Sequence, residues 1–137
     1  MKIKLDEGAF PLTREHPTDA GLDIRAKAGK TIEAYGSEVF RTGVHIQLPR
    51  NTCGLIISRS GMNVKNDVES SIGLIDEGYT GELMVKLRNH SVKDYKVKKG
   101  DKISQLIVIP ACYVPIEIVE ELEETERGEN GIGSTGR

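Results

Sequence analysis

Gly73-Leu74-Ile75-Asp76-Glu77-Gly78-Tyr79-Thr80-Gly81-Glu82 runs straight into Leu83-Met84-Val85-Lys86-Leu87. An apolar run, a glycine-rich turn and a second apolar run predict a β-hairpin. Its tip carries one carboxylate, Asp76, and one flat ring, Tyr79. Asp, Gly and Thr are ordinary turn residues, and a tyrosine can simply cover an apolar neighbour. Whether the tip is a site is therefore decided by the rest of the chain.

Strand signals dominate on both sides of it. Ile3–Leu5, Leu22–Ala26, Thr31–Ala34, Glu38–Thr42, Val44–Leu48, Gly54–Ser58, Tyr95–Lys98, Ile103–Ile109 and Tyr113–Val119 are short apolar or alternating runs, punctuated by Gly and Pro. Such spacing predicts an all-β chain, a sandwich or barrel of short strands, with at most one short helix around Ser60 to Val68. The 137 residues suit one domain. Trp is absent and aromatics are only 4%, so Ile, Leu and Val must fill the core.

A formal charge of −2 gives no long-range pull on a nucleic-acid polymer. An anionic ligand would need positive charge supplied locally. Cys53 and Cys112 stand alone in apolar runs and are expected to be buried free thiols. The amino terminus lacks the apolar stretch of a signal peptide, and Ile103 to Val119 is too interrupted to span a bilayer. A soluble, cytoplasmic protein without a membrane association is the expectation. The lysine-rich tract from Lys93 to Lys102 is best explained as a solvated edge and turn. The glycine-dense end from Arg127 has no means of packing a core and is expected to be mobile. Residues 1–126 then form the core domain and 127–137 an arm.

Polar clusters punctuate the strands: Asp19-Ala20-Gly21-Leu22-Asp23, Ser58-Arg59-Ser60-Gly61, Gly100-Asp101-Lys102-Ile103-Ser104-Gln105-Leu106, and the glycine-rich tail. Arg, Ser and Gly together suit a phosphate, giving a fork of donors, a hydroxyl and room for main-chain N–H groups. Gly29-Lys30-Thr31 looks like the end of a P-loop, but Ile24 stands where that motif needs Gly and no helical pattern follows.

In this order, the clusters and the hairpin resemble the five motifs of the trimeric dUTP pyrophosphatase (dUTPase) family. They read Ala20-Gly21-Leu22-Asp23-Ile24, Arg59-Ser60-Gly61-Met62, Gly73 to Glu82, Gly100 to Leu106 and Arg127 to Gly136. The resemblance implies a jelly-roll-like β fold and a homotrimer whose sites are shared between subunits. The hairpin would come from one chain, the phosphate-binding motifs from a second and the arm from a third. It also implies hydrolysis of dUTP to dUMP and diphosphate, which limits uracil entry into DNA and supplies dUMP for thymidylate synthesis. Mg²⁺ would be held by the triphosphate and waters.

Carried over residue by residue, Asp76 would activate the attacking water and Gln105 help hold it. Arg59, Ser60, Gly61, Arg127, Gly133, Ser134 and Thr135 would bind phosphate. Ser70, Gly73, Leu74, Ile75, Asp76, Tyr79, Met84 and Ile132 would line the nucleoside site, and Asp23 would hold a water of the Mg²⁺ shell. Three positions depart from the common pattern: Ile132 replaces a stacking Phe, Ser70 replaces an Asn, and Ser58 replaces a Pro. Two rivals remain. The dCTP deaminase family has a similar hairpin, but its catalytic Glu falls on Lys86 here. A non-catalytic β-sandwich regulatory module is the other.

Overall fold

Leu83, Val85, Leu87 and Asn89 are buried while Met84, Lys86 and Arg88 face out, a strict period of two along Glu82–Asn89. A one-residue slip would exchange the two sets, so burial pins the register of this strand. The computed structural model describes residues 1–131. Among them it places ten strands and one helix: β1 (Lys2–Leu5), β2 (Leu22–Arg25), β3 (Lys30–Ile32), β4 (Ser37–Gln47), β5 (Thr52–Ile57), α1 (Ser60–Asn66), β6 (Val68–Ser70), β7 (Gly73–Ile75), β8 (Glu82–Asn89), β9 (Tyr95–Val97) and β10 (Lys102–Pro110). The chain is nearly all β, as the residue pattern predicts.

Two antiparallel four-stranded sheets, β1-β4-β8-β6 and β2-β10-β5-β7, are joined by a two-stranded sheet, β3-β9. Their inner faces share one aliphatic core. Ile24, Phe40, Val44, Leu83, Val85, Leu87 and Leu106 are among its fully buried members. Each large aliphatic side chain buried there contributes about 1.5–3 kcal/mol. Asn89 ends β8 with its amide nitrogen donating to the carbonyls of Ile32, Glu33 and Lys93, which ties the small sheet to the large one.

Several expectations change. The runs at 38–42 and 44–48 are one strand, β4, because Gly43 (φ 67°) forms a bulge instead of a break. A Cβ there would meet the Ala9 Cβ at 2.8 Å. The Glu82 carboxylate caps the bulge, accepting from Gly43 N–H (2.8 Å) and pairing with Arg41. The helix ends at Asn66, and Val68 already belongs to β6. The run from Tyr113 to Val119 lies in no strand, with Ile116 91% and Ile118 96% exposed. Both cysteines are free, but Cys112 is exposed and Cys53 only partly covered.

The largest correction concerns the hairpin. β7 pairs with β5 and β8 with β4 and β6, so its two arms belong to different sheets. They meet at the base, where Ser71 N–H donates to the Lys86 carbonyl (2.9 Å). Continuing that antiparallel register would set Gly73 beside Met84 and Ile75 beside Glu82. No ladder forms there, and the outer edge of β7 is left open.

Candidate functional site

The tip of the opened hairpin is held from three sides. Tyr79 N–H donates to the Asp76 carbonyl (3.0 Å), closing a turn over 76–79. The Tyr79 hydroxyl donates to the Glu82 carbonyl (2.9 Å), which lays the ring over Gly81. A Cβ on Gly81 would lie 2.8 Å from Tyr79 Cε2, so only glycine allows that ring position. The Glu77 carboxylate accepts from Asn51 N–H (2.8 Å) and from the Tyr113 hydroxyl (2.7 Å). The Tyr113 bond, and then the Asn51 bond, hold the Glu77 carboxyl below the usual range. Asp76 itself is exposed and opens into a cleft of about 580 Å³ shared with Arg50, Glu77 and Tyr113. Leu74 and Met84 are exposed on the two arms, while the Ile75 side chain is buried and presents only its main chain.

A second cluster forms where β2, β10 and the end of β5 meet. Gln105 pairs with Asp23 on one side and Ile57 on the other. Asp23 is buried. Its Oδ1 accepts from Arg59 Nε (3.1 Å) and its Oδ2 pairs with Lys102 Nζ (2.8 Å). Burial pushes the Asp23 carboxyl up, but the Lys102 hydrogen bond and the charges of Arg59 and Lys102, aided by Gln105, outweigh it and hold it below its ordinary value. Arg59 Nη1 also donates to the Lys102 carbonyl (3.2 Å). The guanidinium is thus aimed by two acceptors, with N–H groups left over.

Arg59 has extended backbone and precedes α1, whose first bonds run from Met62 and Asn63 N–H to the Arg59 carbonyl. The N–H groups of Ser60 and Gly61 come before those bonds and need outside partners. A Cβ on Gly61 would meet nothing within 4 Å, so an incoming group can approach the main chain closely. Arginine fork, serine hydroxyl and free N–H groups together make an anion receptor.

The two clusters do not meet within one chain. Ile75 pairs with Gly54, whereas Gln105 pairs with Ile57, and Asp76 continues away from Ile57. Asp76 and Gln105 are four register positions apart on opposite sides of β5, about 13 Å along the strand and two spacings of about 4.8 Å across. Ser70 is placed inside, buried, its hydroxyl 2.9 Å from Ser104 Oγ and its N–H bonded to Ser58 Oγ (2.7 Å). It faces neighbouring strands and not an opening. Arg127 Nε donates to the Asn130 carbonyl (3.2 Å) at the exposed end of the described chain. Ile132, Gly133, Ser134 and Thr135 lie outside the described residues.

Among the described residues no three His, Cys, Asp or Glu side chains gather as a metal cage. Both Asp23 oxygens face cations, so direct ligation does not fit. Lys102 falls both in the lysine tract and in the Gly100 to Leu106 motif, but sequence reasoning assigns it no role. Its position at the start of a strand, two residues before an inward Ser, was the available signal. Arg50 and Tyr113 were also missed, and no sequence signal points to them.

Fold and site define an all-β protein with an open peptide edge beside a carboxylate and a separate Arg–Asp–Lys cluster next to a helix start. The dUTPase family model matches residues 9–136. The deoxyuridine 5'-triphosphate nucleotidohydrolase of Crocosphaera subtropica is 41% identical over 136 residues, covering 98% of this chain and 96% of that protein. The protein of the same name from Saccharomyces cerevisiae is 41% identical over 138 residues, covering 99% and 94%. The Staphylococcus bacteriophage 80alpha dUTPase with dUPNHPP superposes with a TM-score of 0.93 at 30% identity, covering 99% of this chain and 98% of that one. A phage phi11 dUTPase mutant, described with a structural Mg(II) ion, gives 0.83 at 28% identity, covering 90% and 98%. This chain belongs to the dUTPase family.

Proposed function

We propose that the chain is a dUTP diphosphatase, converting dUTP and water to dUMP and diphosphate. The observation that carries this is the open edge of β7 facing the start of β8. Main-chain N–H and C=O groups there can pair with the uracil edge and mismatch that of cytosine. An unpaired buried polar group costs about 1–3 kcal/mol, enough to reject the wrong base. A slot between strands leaves no room for the 5-methyl of thymine. Tyr79, its hydroxyl anchored to the Glu82 carbonyl beside Gly81, would pack on the deoxyribose and exclude a 2′-hydroxyl, and Met84 would touch the same sugar.

Asp76 orients the attacking water. A carboxylate is a weak base towards water, so positioning supplies much of its effect. Gln105 holds the same water from the phosphate side. Arg59, Ser60 and Gly61 grip the phosphates, and the arm with Arg127, Gly133, Ser134 and Thr135 closes over them. Mg²⁺ would neutralise phosphate charge when it accompanies the nucleotide, and Asp23 would hold it through a water.

This assignment needs Asp76 and Gln105 in one site, which the spacing within a single chain does not allow. A homotrimer with shared sites resolves it. The exposed Ile116, Ile118 and Leu122 support the same reading, because a second copy would cover them. Light scattering should give the mass of three chains. No helix among the described residues is long and apolar enough to cross a membrane.

Diphosphate release measured across dUTP, dCTP, dTTP and UTP tests the function. Turnover of dUTP alone is expected. Ammonia release from dCTP would favour a deaminase, and no turnover at all a regulatory module.

A further inference from the structure

Lys102 closes the lysine-rich tract, yet its side chain is only 20% exposed. Its ammonium lies 2.8 Å from Asp23 Oδ2 and 2.9 Å from Glu15 Oε2, and its carbonyl accepts from Arg59 Nη1. It therefore reaches Arg59 twice, directly through its main chain and indirectly through Asp23.

Charge sharing decides what this contact does. Arg59 and Asp23 alone form a pair with no net charge. With Lys102 and its second partner Glu15 counted, the four groups are formally neutral, so Lys102 adds no net charge; it divides the hold on the buried Asp23 carboxylate between two cations. We propose that Lys102 is a positioning residue for the phosphate grip. By sharing Asp23 it keeps that carboxylate from neutralising Arg59, and its carbonyl fixes the guanidinium so that the remaining N–H groups point at the phosphate chain.

The same geometry would let Arg59 exchange Asp23 for a phosphate oxygen. An unpaired buried carboxylate would be costly, but Lys102 stays on the other oxygen. The pair of cations thus makes the exchange of partners affordable and frees Oδ1 for a water.

The inference rests on the diphosphatase reading, and diphosphate binding by calorimetry separates the two. Lys102→Met keeps the aliphatic stem and removes the charge. It is expected to weaken diphosphate binding and raise the KM for dUTP by about tenfold, the loss of one charge-assisted contact, with a smaller change in kcat. Lys102→Arg should restore both to within about threefold of the parent. Should Lys102→Met fail to fold, Lys102→Gln set against Lys102→Arg carries the same comparison. Wild-type diphosphate affinity in the uncharged variant overturns the proposal. So does a Lys102→Arg protein that binds no better than the uncharged one. A parent that binds diphosphate but leaves dUTP intact would instead sink the enzymatic reading alone.

Discussion

Asp76 and Gln105 sit on opposite sides of β5, one beyond the Ile75–Gly54 pair and the other at the Ile57 pair. No rotamer of either side chain closes that gap. On the proposed reading each chain would contribute a base-and-water half and a phosphate half to sites shared in an assembly. The opened hairpin would serve the first half, because no β7–β8 ladder uses its peptide groups. The Arg59–Asp23–Lys102 cluster would serve the second.

Asp76 is exposed and no packing depends on it. Asp76→Asn should fold normally and bind a non-hydrolysable dUTP analogue, while kcat drops by about 10²–10⁴-fold. Single-turnover kinetics alongside calorimetry measures both, and a near-normal rate would remove Asp76 from its role.

Gly81 leaves room for the Tyr79 ring. Gly81→Ala should push the ring off its seat and lower the preference for dUTP over UTP by about tenfold, or about 1.4 kcal/mol. The ratio of kcat/KM values for the two nucleotides reads this out. An unchanged ratio would mean the ring does not guard the 2′ position.

Acid should destabilise the fold through Glu82 as well as Asp23. The Arg41 hydrogen bond, with Gly43 N–H and against burial, holds the Glu82 carboxyl below its ordinary 4.5, and Asp23 lies below its ordinary 3.8. With native values depressed, the unfolded chain binds more protons, so the stabilisation is present above the ordinary values and is lost as pH falls through the native ones. Urea midpoints should decline below about pH 4.5 and more gently in Glu82→Gln. Parallel curves for the two proteins would assign the acid limb elsewhere.

Among the described residues no core member lies beyond β10. A chain ending at Glu126 should keep the thermal midpoint of the parent but lose most of its dUTP turnover. Unfolding of the shortened protein would make the arm structural.

Much of this was legible beforehand. Alternation in Leu83–Asn89 announces a half-buried strand, and the ordered clusters announce the family. Pairing was not legible, because periodicity tells which face of Gly73–Ile75 is buried but not which strand lies beside it. Gly43 reads equally as a turn or a bulge until Glu82 arrives from β8 to cap it. Lys102 looks like any solvated lysine until the β2–β10 register brings Asp23 across to it. Tyr113 to Val119 has the composition of a strand, but it pairs with none among the described residues.

Subunit mixing tests shared sites most directly. Asp76→Asn and Arg59→Ala proteins, each inactive alone, are unfolded together in equal amounts and refolded. Random assembly leaves about one site in four with both halves intact, so dUTP turnover should return to about a quarter of the parent rate. A mixture that stays as inactive as its two components would place Asp76 and Arg59 in the site of one chain and contradict the shared assembly.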